Sequence, residues 1–197
     1  MATDASAPDE AARSRAFCLR AVARVHRVDT GGATGADASG NDAPVLQRVD
    51  AGLVVAYAVD DDGRSVLVRH AELRAAGLAV DELHANAVWR LAGLAERHAE
   101  VQRFGHVHMV LVGGGLEASL VLCDEFWDDW HAGLAAGGFV AAIPAADVLA
   151  FGDASSRAAI RELDDLCTRI APAADHPLSD RLLRRIGGRW EALPEDG

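Results

Sequence analysis

Apolar positions in this chain change period several times, and the breaks between periods define the predicted elements. Residues 53–59 and 65–69 are apolar runs around Asp60-Asp61-Asp62-Gly63, which predicts a β-hairpin. Residues 107–112 and 118–122 flank Gly113-Gly114-Gly115 and predict a second hairpin, and residues 138–144 and 148–151 predict two more strands. Helical spacing alternates with these runs. Phe17, Ala21, Val25 and Val28 recur at that spacing, with Arg13, Arg20, Arg24 and Arg27 opposite, and predict an amphipathic helix over 13–28. A short helix over 71–76 stops at Gly77, where a left-handed end suits glycine.

A longer helix starts at Asp81 as N-cap and buries Leu83, Ala87, Leu91 and Leu94, leaving Trp89 off the stripe. Another starts at Asp124, with Trp127, Trp130 and Leu134 along its apolar edge. A third covers 156–170, with Ile160, Leu163, Cys167 and Ile170 inward and an exposed Asp165–Arg169 pair. The tail, with Leu182-Leu183, a Gly187-Gly188 turn and Trp190, predicts a terminal hairpin or edge strand. Two strands followed by a helix thus occur three times, without sequence identity between the units. The expected fold is α+β: mostly antiparallel sheet from hairpin–helix units, helices packed on one face, and an N-terminal helix. Residues 1–12 read as a disordered N-terminus, 13–28 as the amphipathic helix, 29–44 as a flexible linker and 45–197 as a single α+β domain.

Composition narrows the function. The chain has 197 residues, half of them apolar and only 5% aromatic, so its core is built mainly from Ala, Val and Leu. A net charge of −11 argues against a nucleic-acid partner, whose phosphates need a basic surface. All 19 basic residues are arginine. Without lysine there is no Schiff-base enzyme, pyridoxal-phosphate lysine, Walker lysine or kinase lysine. The three cysteines, Cys18, Cys123 and Cys167, are odd in number and far apart, which is not a disulfide framework. The first residues resemble no secretory signal and no apolar run is long enough to span a bilayer, so a cytoplasmic protein without a membrane partner is expected. The arginine face of the first helix reads as solvated rather than membrane-bound.

Several constellations invite chemistry. The GGATGA stretch after Thr30 superficially resembles a dinucleotide loop, but it follows a helix and precedes none, so a linker is the better reading. Asp60, Asp61 and Asp62 lack the ligand spacing and closing glutamate of a calcium loop. Asp124, Glu125, Asp128 and Asp129 read as charge at a helix start, where the macrodipole favours it. His106 and His108 project to one face of a strand, and a hairpin register would bring Cys123 near His106, a weak zinc set without a fourth ligand. Glu117 and Ser119 share a strand face near the glycine turn, and Asp147 follows Pro144 at a strand end. Such carboxylates suit acid–base work only if they converge. No nucleophile elbow or HExxH motif is present, and no cofactor is expected.

The runs LVVAYAVDDDGRSVLV, LAVDELHANAVWRL, GGGLEASLVLCDEFWDDW, FVAAIPAADVLAFGD and HPLSDRLLRR give residues 53 to about 190 a pattern that resembles the bacterial YtpQ-like family, domain-of-unknown-function family 1444. The resemblance implies a soluble bacterial α+β protein with no assigned activity. It matches the family at Ala118, Ser119, Pro144 and Asp147. It departs where relatives carry asparagine in place of Arg90 and arginine in place of Ala146, so a site shared by the family would be incomplete here. The sequence therefore reads as a non-catalytic binding module for a protein or small molecule. Glu117, Ser119, Asp147, Trp89 and Trp127 are its candidate contacts, and Trp130 is a further surface aromatic. The alternative is a small hydrolase using Glu117 and Asp147, with or without a divalent metal at His106 and His108. Oligomeric state is not legible.

Overall fold

A computed structural model describes residues 7–28, 40–49 and 52–194. The chain is α+β, as its periodicity predicts. A four-stranded sheet has the order β1(Val22–Arg27), β3(Leu53–Asp61), β2(Leu46–Val49), with β4(Arg64–Leu67) also paired to β3. A six-stranded sheet, antiparallel throughout, has the order β10(Arg189–Ala192), β9(Leu183–Ile186), β7(Phe139–Ala142), β8(Leu149–Asp153), β6(Val107–Leu111), β5(Glu100–Phe104). The helices are α1(Ala7–Cys18), α2(His70–Ala75), α3(Val80–His98) and α4(Arg157–Ile170).

Contacts divide the described residues into two compact units. The first holds 7–24, 40–47 and 55–90, and the second 25–28, 48–49, 52–54 and 91–194. In the first unit, α1 begins at Ala7, inside the stretch expected to be disordered, and ends at Cys18 rather than continuing to residue 28. Val22–Arg27 is a strand: Ala21, Ala23 and Val25 are buried in strict alternation with Val22, Arg24 and His26, a two-residue period that the helical spacing obscured. Residues 1–6 and most of the proposed linker (29–39) lie outside the described residues. The predicted hairpin forms around Asp62 (φ 51°) and Gly63 (φ 78°), and the Asp60 carboxylate accepts the Gly63 N–H at 2.9 Å. That aspartate run is turn chemistry. Helix α3 starts one residue before Asp81, and the Glu82 carboxylate accepts the Ala79 N–H at 2.9 Å, so Asp81 lies inside the first turn instead of capping it. Leu83, Ala87 and Leu91 are buried as expected, and Ala95 takes the place given to Leu94. Tyr57 is fully buried, its hydroxyl 2.7 Å from Gln47 Oε1 and 3.0 Å from His84 Nδ1.

In the second unit α4 lies across one face of the six-stranded sheet. Ser156 caps it through the Ala159 N–H at 3.2 Å. Ala159, Leu163 and Cys167 pack on Val107, Val140, Ala142 and Ala150. The approach is close because Gly152 has no side chain: a Cβ there would meet that of Ala159 at 2.8 Å. The opposite face is covered by residues 118–134. Residues 118–122 are not the expected strand but a 3₁₀ turn, followed by a π-helical turn at Phe126–Trp130. The three glycines before it all have positive φ and form a wide loop, while β6 pairs instead with β5 and β8. Trp127 is core: its Nε1 donates to Leu120 O at 2.8 Å, and its ring meets Phe139, Phe151 and Trp190 edge-on, with centroids 4.8–5.3 Å apart.

Candidate functional site

Helix α4 covers the middle of its sheet and leaves one end bare. Alternation along β5 and β6 turns Gln102, Phe104, Val107, Met109 and Leu111 toward the α4 face, where the register sets Gln102 opposite Met109 and Phe104 opposite Val107. Leu166, Thr168 and Arg169 of α4 form the facing wall. Between them lies a groove of about 790 Å³. Phe104 is 55% exposed and Leu111 47%, unusual values for residues on the inner face of a covered sheet. At the rim, Arg169 Nε donates to the Asp165 carbonyl at 3.2 Å, and its other N–H groups pair with no described residue.

One end of the groove is closed by a latch. Gly105 and His106 form the two-residue turn of the β5–β6 hairpin, and Glu162 of α4 grips it. Its Oε2 accepts the His106 N–H at 2.9 Å, and its Oε1 lies 2.6 Å from His106 Nδ1. These bonds, the imidazole first and the backbone N–H second, hold the Glu162 carboxyl below its ordinary range. Gly105 has φ 58°, the left-handed region that favours glycine, and a Cβ there would meet Glu162 Oε2 at 2.8 Å, so a side chain at this position would push the latch carboxylate aside.

The residues singled out in the sequence are brought together only in part. The zinc set dissolves. His106 lies in the turn and faces Glu162, whereas His108 lies on the opposite sheet face, stacked on Phe151 at 5.1 Å between centroids. Cys123 is fully buried, its thiol pushed up to about 12 by burial, with Glu125 and Asp124 adding to the shift. Among the described residues no group of three His, Cys, Asp or Glu side chains is arranged to hold a metal ion. Cys18 and Cys167 are also free and buried, their thiols raised to about 11 chiefly by burial.

Glu117 and Ser119 share no strand face, because that segment is not a strand. Glu117 is buried and clamps the glycine loop: Oε1 accepts the Val112 N–H at 3.0 Å and the Gly113 N–H at 2.7 Å, while Oε2 is buried with no hydrogen-bond partner among the described residues. Ser119 is buried and accepts the Val25 N–H at 3.1 Å. Asp147 is exposed, beside the Ala118 N–H to Ala146 O hydrogen bond of 3.2 Å. That bond joins two of the segments carrying the family-like pattern, through backbone alone. Trp127 is lost as a surface contact, whereas Trp89 stands 72% exposed on α3. Asp124 and Asp128 do more than complement a helix start: both accept hydrogen bonds from the buried Arg185 guanidinium, at 2.9 and 2.6 Å. Burial opposes the charge of Arg185, and these bonds outweigh it, so the group is held firmly cationic.

Sequence reasoning missed the groove because it followed the histidines of β6. Its floor is the other alternate set, and β5, with only Val101 and Phe104 apolar, gave no strand signal. No family model, curated protein or solved structure matches the chain.

Proposed function

We propose that the protein is a non-catalytic binding module whose ligand lies in the groove between α4 and the β5–β6 hairpin. The observation that carries this reading is a concavity of about 790 Å³ with a mainly apolar floor and a polar rim of Gln102, Glu162, Asp165, Thr168 and Arg169, a make-up that suits a small-molecule site. The ligand class that fits is an elongated apolar molecule with an anionic head. Its body lies along Phe104, Met109, Leu111 and Leu166, and its head meets the Arg169 N–H groups that pair with no described residue. The hydrolase reading has less support, since one carboxylate oxygen of Glu117 is already taken by backbone N–H groups and Asp147 lies in solvent. A cytoplasmic location is part of the proposal, supported by three free, buried cysteines. Among the described residues no helix is long and apolar enough to cross a membrane. Kinship with the YtpQ-like family, and with it a bacterial source, stays a proposal resting on the sequence pattern.

Calorimetric titration with dodecanoate and, as an uncharged control, dodecanol tests the reading. Saturable binding of dodecanoate, abolished by Met109→Arg and reduced to the level of the alcohol by Arg169→Gln, is the expected result. Absence of saturable binding, or binding indifferent to Met109→Arg, would overturn it.

A further inference from the structure

Among the described residues strand β5 ends its sheet: the strand order places β6 on one side of it and no strand on the other, and four of its five residues are exposed. The Gly105-His106 turn has positive φ at Gly105 alone, the type II′ pattern, which closes on a hydrogen-bonded pair. That pair is Phe104–Val107. Alternation then directs the backbone groups of Phe104, Gln102 and Glu100 toward β6 and those of Val101 and Arg103 outward. Such an edge is a template for another strand, and natural edges are guarded by charge or proline. β5 has no proline and carries one charge of each sign, Glu100 and Arg103.

We propose that β5 is a self-association edge, where two copies pair β5 with β5 antiparallel about a two-fold axis at Gln102. In this register the outward-facing Val101 and Arg103 exchange hydrogen bonds with the second copy's Arg103 and Val101. Glu100 lies opposite the second copy's Phe104, so no like charges oppose each other. Gln102 meets its own copy at a non-hydrogen-bonded position, where side chains lie closest and two amides can pair. Slipping one residue toward the turn sets Arg103 against Arg103. Slipping the other way leaves Arg103 and Phe104 without strand partners. The charge pattern therefore fits a second copy in one register. Both grooves then open on one continuous sheet face, with a Phe104 from each copy on its floor.

The test is light-scattering mass of the full chain at low salt, where exposed charges are least screened. Wild type is expected at twice the 20.7 kDa chain mass. Gln102→Glu and Gln102→Arg each place like charges at the axis and are expected to halve that mass, with circular dichroism unchanged because Gln102 is exposed. Mixing the two variants in equal amounts sets opposite charges face to face and is expected to restore the doubled mass. A monomeric wild type would overturn the proposal and leave the edge to an extended segment of another protein. Variants that stay dimeric, or a mixture that stays monomeric, would also overturn it.

Discussion

His106 and Glu162 are joined twice, imidazole to carboxylate at 2.6 Å and backbone N–H to carboxylate at 2.9 Å, so a hairpin turn is fastened to the helix beside it. The latch fixes the distance between the floor and the wall of the groove at one end. Because the folded-state carboxyl titrates below its ordinary value near 4.5, the latch contributes stability that is fully present above that value and lost as pH falls through the lowered one. Glu162→Gln should therefore lower the melting temperature at neutral pH, and the difference from wild type should shrink on acidification. Thermal melts from neutral pH to below the carboxylate range check this. A difference that does not change with pH would mean the charge plays no part.

Glu117 separates two roles of one side chain. Removing it as Glu117→Ala strips the acceptor from the Val112 and Gly113 N–H groups and should cost about 1–3 kcal/mol, the usual penalty for orphaned donors. Glu117→Gln keeps that oxygen and replaces a buried, unpartnered carboxylate oxygen with an amide group, so it should cost far less. Urea unfolding of both variants gives the comparison. Equal losses would show that charge, rather than the acceptor, holds the loop.

His108 stacks on Phe151 with a buried Nδ1 that has no hydrogen-bond partner among the described residues. Burial, reinforced by the charges of Arg103 and His131, pushes its titration below the ordinary 6.5. Between that value and the lowered one the unfolded chain binds more protons, so stability falls as pH drops below about 6.5. His108→Phe keeps the stack and removes the proton site. It should be neutral or stabilising by about 1 kcal/mol at neutral pH and should flatten the mildly acidic slope. The slope will not vanish, because His84 is shifted the same way by its own burial. Chemical-denaturant midpoints at neutral and mildly acidic pH decide it.

The elements legible in the sequence are those that carry their own punctuation. The β3–β4 hairpin is marked by Asp62-Gly63, α4 by Ser156 and the Leu163–Cys167 stripe, and the tail hairpin by Gly187-Gly188. The failures are short apolar runs. Residues 118–122 are buried or nearly so along their whole length, so they show neither a two-residue nor a 3.6-residue period. Val22–Arg27 satisfies both periods within six residues. The site was less legible than the fold. Phe104, Met109 and Leu111 look like ordinary strand residues until the fold sets Leu166 and Arg169 of α4 across a groove from them, a tertiary placement that no local spacing encodes. Glu117 was singled out, but its service to the loop amides depends on three successive positive-φ glycines.

The placement of the aromatic side chains has an optical consequence. Trp127, Trp130 and Trp190 all belong to the second unit, and Trp127 and Trp190 are buried with hydrogen-bonded indoles. The first unit holds only Trp89, already in solvent, and the single tyrosine, Tyr57. Indole emission will therefore shift to the red when the second unit melts and stay nearly silent when the first one does. A fluorescence trace of this protein is a thermometer for half of it.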